Sequence, residues 1–491
     1  MRRHKSAFAF LSGILLLVAS PLCAQTLTAT PTTPHPTQPL YISATGFADA
    51  EAVDVYIDTT DTELLVSSST GTFTASVTLP AAIQPGIHYI TAVGRRSGDA
   101  AQSAVTVTTS WLQAGFGATK RGWNPYENSL NDSNANTLGA AWSVAANGSG
   151  ATPVINAGSI YVTTQAGISR YATATGSLVW NKISGDNFPG APAFSGSTLY
   201  AGGVSGNLYA VKASNGATIW TVSLGSTIYS SPVVVNGVVY VGTLNGVVYA
   251  VNASTGATLW TYATGAFIDG SAGVQNGVVY IGSNDKNLYA LNASTGALQW
   301  SFTTGGPVES TPSVVNGLVY FGSDDGKVYA VSTASSPISY YVAGTLVWSY
   351  NTGDAVFESP AFAYNKVYVG GTAGSLLALD GRTGAVAWSF ATDSYPRPAA
   401  VANGLVYFTS NNGAIYALDA NSGAVEWHGR SGGTFFGGPA VSDGVLYVNT
   451  YESQLVAYAP NADTDSAIRH VPRPSPSSLR PNMALKIARW Q

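Results

Sequence analysis

The chain has 491 residues, of which only 9% are charged, with a formal net charge of −4 and a single cysteine, Cys23. That balance excludes the basic footprint of a nucleic-acid binder, and one cysteine excludes a disulfide framework or a thiolate metal site. The 54 glycines and 11% aromatic content suit an exported β-protein, long enough to bury a core without staples.

At the amino terminus, Arg2, Arg3 and Lys5 precede the apolar run AFAFLSGILLLVA and then PLCA, the order of an export signal cleaved after Ala24. The run is too short to cross a bilayer as a helix, and no later stretch approaches 18 unbroken apolar residues. Pro21 and Leu22 do not fit a lipidation motif before Cys23. The expected product is therefore periplasmic, associated with the cell envelope or secreted, without a lipid.

In residues 25–110, PLYISATGF, AVDVYID, TFTASVTLP and HYITAVG alternate as half-buried strands between Gly and Pro turns, the pattern of a small β-sandwich. This stretch resembles bacterial immunoglobulin-like modules, which implies a spacer or adhesion element with no chemistry of its own. Residues 111–138, WLQAGFGATKRGWNPYENSLNDSNANTL, read as a polar linker that leads into the next domain and packs across it.

From 139 to 460 one unit repeats, best seen between Ser231 and Gly265 as SPVVVNGVVYVGTLNGVVYAVNASTGATLWTYATG. Its four apolar runs are separated by Asn-Gly, Asn-Gly and Ser-Thr-Gly turns, which predicts a four-stranded antiparallel sheet. Such a sheet cannot bury both faces alone, and a period near 40 with four strands marks a β-propeller blade. The fourth-strand tryptophans, Trp142, Trp180, Trp220, Trp260, Trp300, Trp348, Trp388 and Trp427, hold that step except for the 48 residues from Trp300 to Trp348, where STASSPISYYVAGT lengthens a turn. The second-strand tyrosines, Tyr161, Tyr200, Tyr240, Tyr280, Tyr320, Tyr368, Tyr407 and Tyr447, count eight units. The expected fold class is thus all-β, an eight-bladed propeller preceded by a small sandwich. The last unit has no tryptophan and Trp142 has no preceding unit, so AAWSV is expected to supply the missing fourth strand and close the ring. Residues 461–491, with Pro472, Pro474, Pro476 and Pro481 and five basic residues against two acidic, read as a disordered tail.

Units of the form SPVVVNGVVYVGTLNGVVYAVNASTGATLW resemble the PQQ-type, or quinoprotein, propeller repeat over about residues 111–459. The opening WLQAGFGATKRGWNPYENSL is similar to the lead-in before such rings. The resemblance implies that Trp180, Trp220, Trp260, Trp300, Trp348, Trp388 and Trp427 dock between adjacent blades. It also implies two functional branches. Quinoprotein dehydrogenases hold pyrroloquinoline quinone and Ca²⁺ above the ring and oxidise alcohols or sugars, many with an adjacent cysteine pair. Non-catalytic, BamB-like members bind other proteins. This chain has no cysteine pair and no large inserted loop, which favours the second branch, although it departs from the BamB-like pattern in its poor lipidation motif and its extra sandwich.

Propeller geometry puts the turn before each first strand, and the turn between second and third strands, around one mouth of the central channel. Counting back from the second-strand tyrosines places Pro189, Tyr229, Asp269, Glu309, Phe357, Glu358, Arg397 and Phe436 there, with Phe188, Tyr395 and Phe435 beside them. The other turn holds Asp285, Lys286, Asp324 and Asp325. In a chain with so few charges, Asp269, Glu309 and Glu358 with Arg397 form the candidate site, as oxygen ligands for Ca²⁺ or as a general base for alcohol oxidation. The plainer reading is a set of polar groups solvating a channel mouth. The histidines, His4, His35, His88, His428 and His470, show no metal or dyad spacing, and Asn252-Ala-Ser and Asn292-Ala-Ser fit turn chemistry better than glycosylation. The expected function is a non-catalytic scaffold for an envelope or extracellular protein, with no resident cofactor. The alternatives are a PQQ- and Ca²⁺-dependent alcohol or sugar dehydrogenase, and a carbohydrate-binding or adhesion protein that sets its aromatic rim on a glycan.

Overall fold

Each Asn-Gly pair before a second strand closes a two-residue hairpin. The computed structural model describes residues 25–462 apart from 147, 149, 183, 184, 335–341, 372, 373 and 453. In it Asn236 and Gly237 take φ of 50° and 76° and join Val233–Val235 to Val238–Gly242, with Val235 opposite Val238. Positive φ at both positions gives the mirror-image turn whose twist matches paired strands. Val247–Asn252 and Thr258–Ala263 complete the sheet. Between them the Asn252 side chain accepts hydrogen bonds from the N–H groups of Ser254 and Thr255, each at 3.0 Å, the local chemistry that favours Asn in turns. The expected export signal with Cys23, the tail from residue 463 and half of the long turn before Trp348 lie outside the described residues.

Among the described residues eight such antiparallel sheets follow one another between residues 138 and 460. Their inner strands are Val154–Asn156, Ala193–Ser195, Val233–Val235, Gly273–Gln275, Ser313–Val315, Ala361–Ala363, Ala400–Ala402 and Ala440–Ser442. Each packs against the next and the last packs against the first, so the sheets form a closed β-propeller. The last sheet takes its fourth strand, Leu138–Ala145, from the start of the ring, with Trp142 opposite Ala457. The core lies between neighbouring sheets. Val239, Val241 and Val251 of the third sheet pack against the second, while Tyr240, Val248 and Ala250 pack against the fourth, so the two-residue strand period buries both faces.

The stretch expected to be a polar linker packing across the ring forms its innermost layer. Its fourteen residues from 111 to 124 meet the middle residue of every inner strand in turn. Trp111 exchanges two backbone hydrogen bonds with Ile155, at 2.9 and 2.8 Å, and the Leu112 carbonyl accepts from Phe194 N–H at 2.8 Å. The Gln113 amide pairs with the Val234 backbone at 3.0 and 3.2 Å. The carbonyls of Ala118, Thr119, Arg121 and Gly122 accept from Val274, Val314, Phe362 and Val401 at 2.7 to 2.9 Å. Trp123–Asn124 then adds a short parallel strand beside Ala400–Ala402, and the Asn124 amide donates to the Val441 carbonyl at 2.9 Å. A bare inner edge would leave these backbone groups unpaired inside the protein, and this belt pairs at least one on each of the eight sheets. Beyond the belt, Asn131 caps the four-residue helix Asp132–Ala135.

By contacts the described residues divide into two compact units, the first holding residues 25–80 together with Ile87–Thr106. That unit is built on two antiparallel sheets, one of Thr26–Thr30, Pro39–Thr45 and Phe73–Thr78, the other ordered Thr60–Val66, Ala52–Ile57, Gly86–Gly94, Ala100–Val107. Pro39–Thr45 alternates exposed and buried residues, with Leu40 and Ile42 in the core.

Candidate functional site

The turns before the inner strands converge on a cavity of about 260 Å³. Pro189, Tyr229, Asp269, Glu309, Phe357, Glu358, Arg397 and Phe436, contributed by seven successive sheets, all line it. Phe188 and Phe435 do not; both are buried in the cores between sheets. Asp285 and Asp325 do not reach it either and are occupied by their own turns. The Asp285 carboxylate accepts from Gly265 N–H at 2.6 Å and Tyr289 Oη at 2.7 Å, and Asp325 repeats the pattern with Gly305 at 2.8 Å and Tyr329 at 2.5 Å. Lys286 and Asp324 share those turns and stay off the cavity wall.

Arg397 is a brace. Its guanidinium donates to the Phe435 carbonyl at 2.7 Å, to Glu358 Oε1 at 2.8 Å and to Asn411 Oδ1 at 2.8 Å. It also lies 5.1 Å from the ring centroids of both Tyr395 and Phe436. Only 3% of the arginine side chain and 8% of Glu358 is exposed, so the pair is committed inside the protein rather than offered to a ligand. Burial, with the Glu358 carboxylate next, holds the Tyr395 hydroxyl far above its ordinary pKa and therefore neutral. Asp269 and Glu309 are half-buried and line neighbouring walls of the same cavity. Three carboxylates against one guanidinium give the lining a formal charge of −2.

This arrangement fits a quinone cofactor poorly. Among the described residues no three Asp, Glu, His or Cys side chains come together as a metal-holding set. Pyrroloquinoline quinone is itself a tricarboxylate and would face a wall of its own sign.

The tryptophans lie at the seams between sheets. Trp180, Trp220 and Trp260 each donate from Nε1 to a backbone carbonyl of the next sheet, Ala213, Ala253 and Ala293, at 2.9 to 3.0 Å. Trp348 and Trp388 do the same to Gly381 and Ala420 at 3.0 and 3.2 Å. The second-strand tyrosine often shares the acceptor, as Tyr240 Oη does with Ala293 at 3.1 Å. The glycine that ends the next sheet's turn completes the seam. A Cβ on Gly296, whose φ is +73°, would come within 2.6 Å of the Trp260 ring. Two members differ. Trp300 Nε1 is buried without a partner among the described residues, and Trp427 meets Tyr458 edge-on at 5.3 Å.

Sequence reasoning missed what lies beneath the cavity. Ser231, Ser271, Thr311 and Ser359 form a girdle in which each hydroxyl accepts from the backbone N–H one sheet earlier, at residues 191, 231, 271 and 311, over 2.9 to 3.1 Å. These positions precede the inner-strand prolines or their equivalents, and their recurrence as Ser or Thr at the repeat period was the available signal. Below the girdle sits Lys120 of the belt, 3% exposed, with Nζ donating to the Ala114 carbonyl at 2.9 Å.

Residues 164–268, 244–397 and 394–467 match the family described as outer membrane protein assembly factor BamB. No curated protein matches the chain significantly. Among solved structures it is similar to BamB from Moraxella catarrhalis, with 21% identity, 68% of this chain and 99% of that one covered, and a TM-score of 0.57. It is similar also to a quinohemoprotein alcohol dehydrogenase from Pseudomonas putida HK5, at 16% identity, 77% and 84% coverage and a TM-score of 0.65. The quinohemoprotein alcohol dehydrogenase from Comamonas testosteroni gives 15%, 74%, 82% and 0.64. At these identities the likeness shows a shared propeller fold and nothing finer.

Proposed function

The chain belongs to the family of the outer membrane protein assembly factor BamB, and on that premise we propose that it is a non-catalytic scaffold that engages another protein through the mouth of its ring. We place it outside the cytoplasm, in the periplasm, on the cell envelope or secreted, with residues 139–460 as the binding domain and the immunoglobulin-like residues 25–110 as a spacer. Among the described residues no helix is long and apolar enough to cross a membrane.

The observation that carries the reading is the cavity wall, with a formal charge of −2 beside Tyr229, Phe357 and Phe436. A Lys or Arg projecting from a partner would meet Asp269 and Glu309 with its charge and the aromatic faces with its methylenes. Calorimetric titration with a short peptide of two arginines and one aromatic residue, against an acidic peptide of equal length, tests this. Only the basic peptide should bind, more weakly as salt rises, and Asp269→Asn with Glu309→Gln should weaken it at least tenfold. Equal binding of both peptides, or of neither, would sink the reading. A parallel titration with pyrroloquinoline quinone and Ca²⁺ covers the dehydrogenase alternative. A Tm that rises with ligand, followed by dye reduction that depends on alcohol or sugar, would move the protein to that class.

A further inference from the structure

A second chamber of about 70 Å³ lies deeper in the channel, adjoining the rim cavity along Ser271, Thr311 and Ser359 and floored by the belt. Its polar lining is rich in donors. Lys120 donates to the Ala114 carbonyl, and Trp111, 1% exposed, lines the chamber with its Nε1 buried and without a partner among the described residues. The hydroxyls of Ser271, Thr311 and Ser359 each accept a backbone N–H in the girdle and so keep a hydrogen to give. Among the described residues no Asp or Glu lines this chamber, and Lys120 is the one titratable side chain that does.

The backbone holds the lysine there at a cost. Lys120 takes φ of 56°, a left-handed conformation rare for a residue with a side chain, and Gly115 packs so close that a Cβ on it would lie 3.2 Å from Lys120 Cα. A buried ammonium without a counter-charge is unfavourable, and a buried N–H without an acceptor adds to the deficit. Both are met by one ligand that is small, negative and an acceptor on all sides.

We propose that this chamber binds a small monovalent anion, a halide or a compact carboxylate, held by Lys120 and Trp111 from the belt and by the hydroxyls of Ser271, Thr311 and Ser359. The site is separate from the rim reading and stands or falls without it. Arg397 and the rim carboxylates take no part.

The test is the Tm of the full mature chain titrated with sodium bromide or sodium formate at constant ionic strength, with gluconate as the bulky replacement anion. A saturable rise with bromide at pH 6 is expected, weakening about tenfold by pH 8, because burial brings the Lys120 pKa down to about 7 and the protonated fraction falls by that factor. Lys120→Met should abolish the rise and Trp111→Phe should weaken it several-fold. A rise with formate as well would assign the site to carboxylates along with halides; a rise with bromide alone would assign it to halides. Crystals grown in bromide give a readout that needs no variant to fold, an anomalous peak within hydrogen-bond distance of Lys120 Nζ. Bromide that acts no differently from gluconate, an equal rise in Lys120→Met, or a chamber holding only water would overturn the proposal.

Discussion

Lys120 carries the clearest pH signature in the ring. Burial lowers its pKa from an ordinary 10.5 to about 7, so between those values the unfolded chain holds a proton that the folded chain has released. Stability therefore rises with pH across that window, by up to about 1.4 kcal/mol per unit from this one group, and below pH 7 its contribution is flat at its least favourable value. In gluconate buffer the Tm should climb from pH 7 to 9 more steeply in the wild type than in Lys120→Met. Parallel profiles would mean that the ammonium is solvated in the native chain. Arg397 shows the contrasting solution, a buried cation made tolerable by a carboxylate, an amide, a carbonyl and two rings. Its position at the mouth could be read by counting from Tyr407, but its commitment to Glu358 could not, because that pairing depends on side-chain reach across sheets.

At the scale of the sheet, the Trp seam is the repeated unit of cohesion. Trp260→Ala removes a ring packed against Gly296 and a hydrogen bond to Ala293, and should cost about 3–5 kcal/mol in denaturant unfolding. Trp300→Ala gives up the same kind of packing without the bond, so its cost should be about 1 kcal/mol smaller. Equal costs would assign the seam to ring packing alone. These strands were legible because Asn-Gly turns, Tyr and Trp recur at one period, and each recurrence restates the others. The belt was not legible. Its partners lie in eight different sheets, up to 317 residues away, so residues 111–124 carry no period and look like the polar loop they are not.

For the whole molecule, the stretch from 111 to 145 does two jobs, lining every inner strand and supplying the outer strand of the last sheet. A chain begun at Ala146 would leave Gln454–Pro460 and the inner strands with open edges. Light scattering should show that variant self-associating where the longer chain stays monodisperse, and a well-behaved truncated monomer would refute the closure argument. The same stretch also sets an order in time. It is synthesised before any of the sheets it joins, and its final partners, near Val441 and Ala457, are made roughly 300 residues later. Its last contacts are therefore made by residues that have waited longest, and closing so distant a pair adds slowly to the entropy cost but heavily to the delay. Folding of the ring should finish in a single late event, and so should its opening begin there.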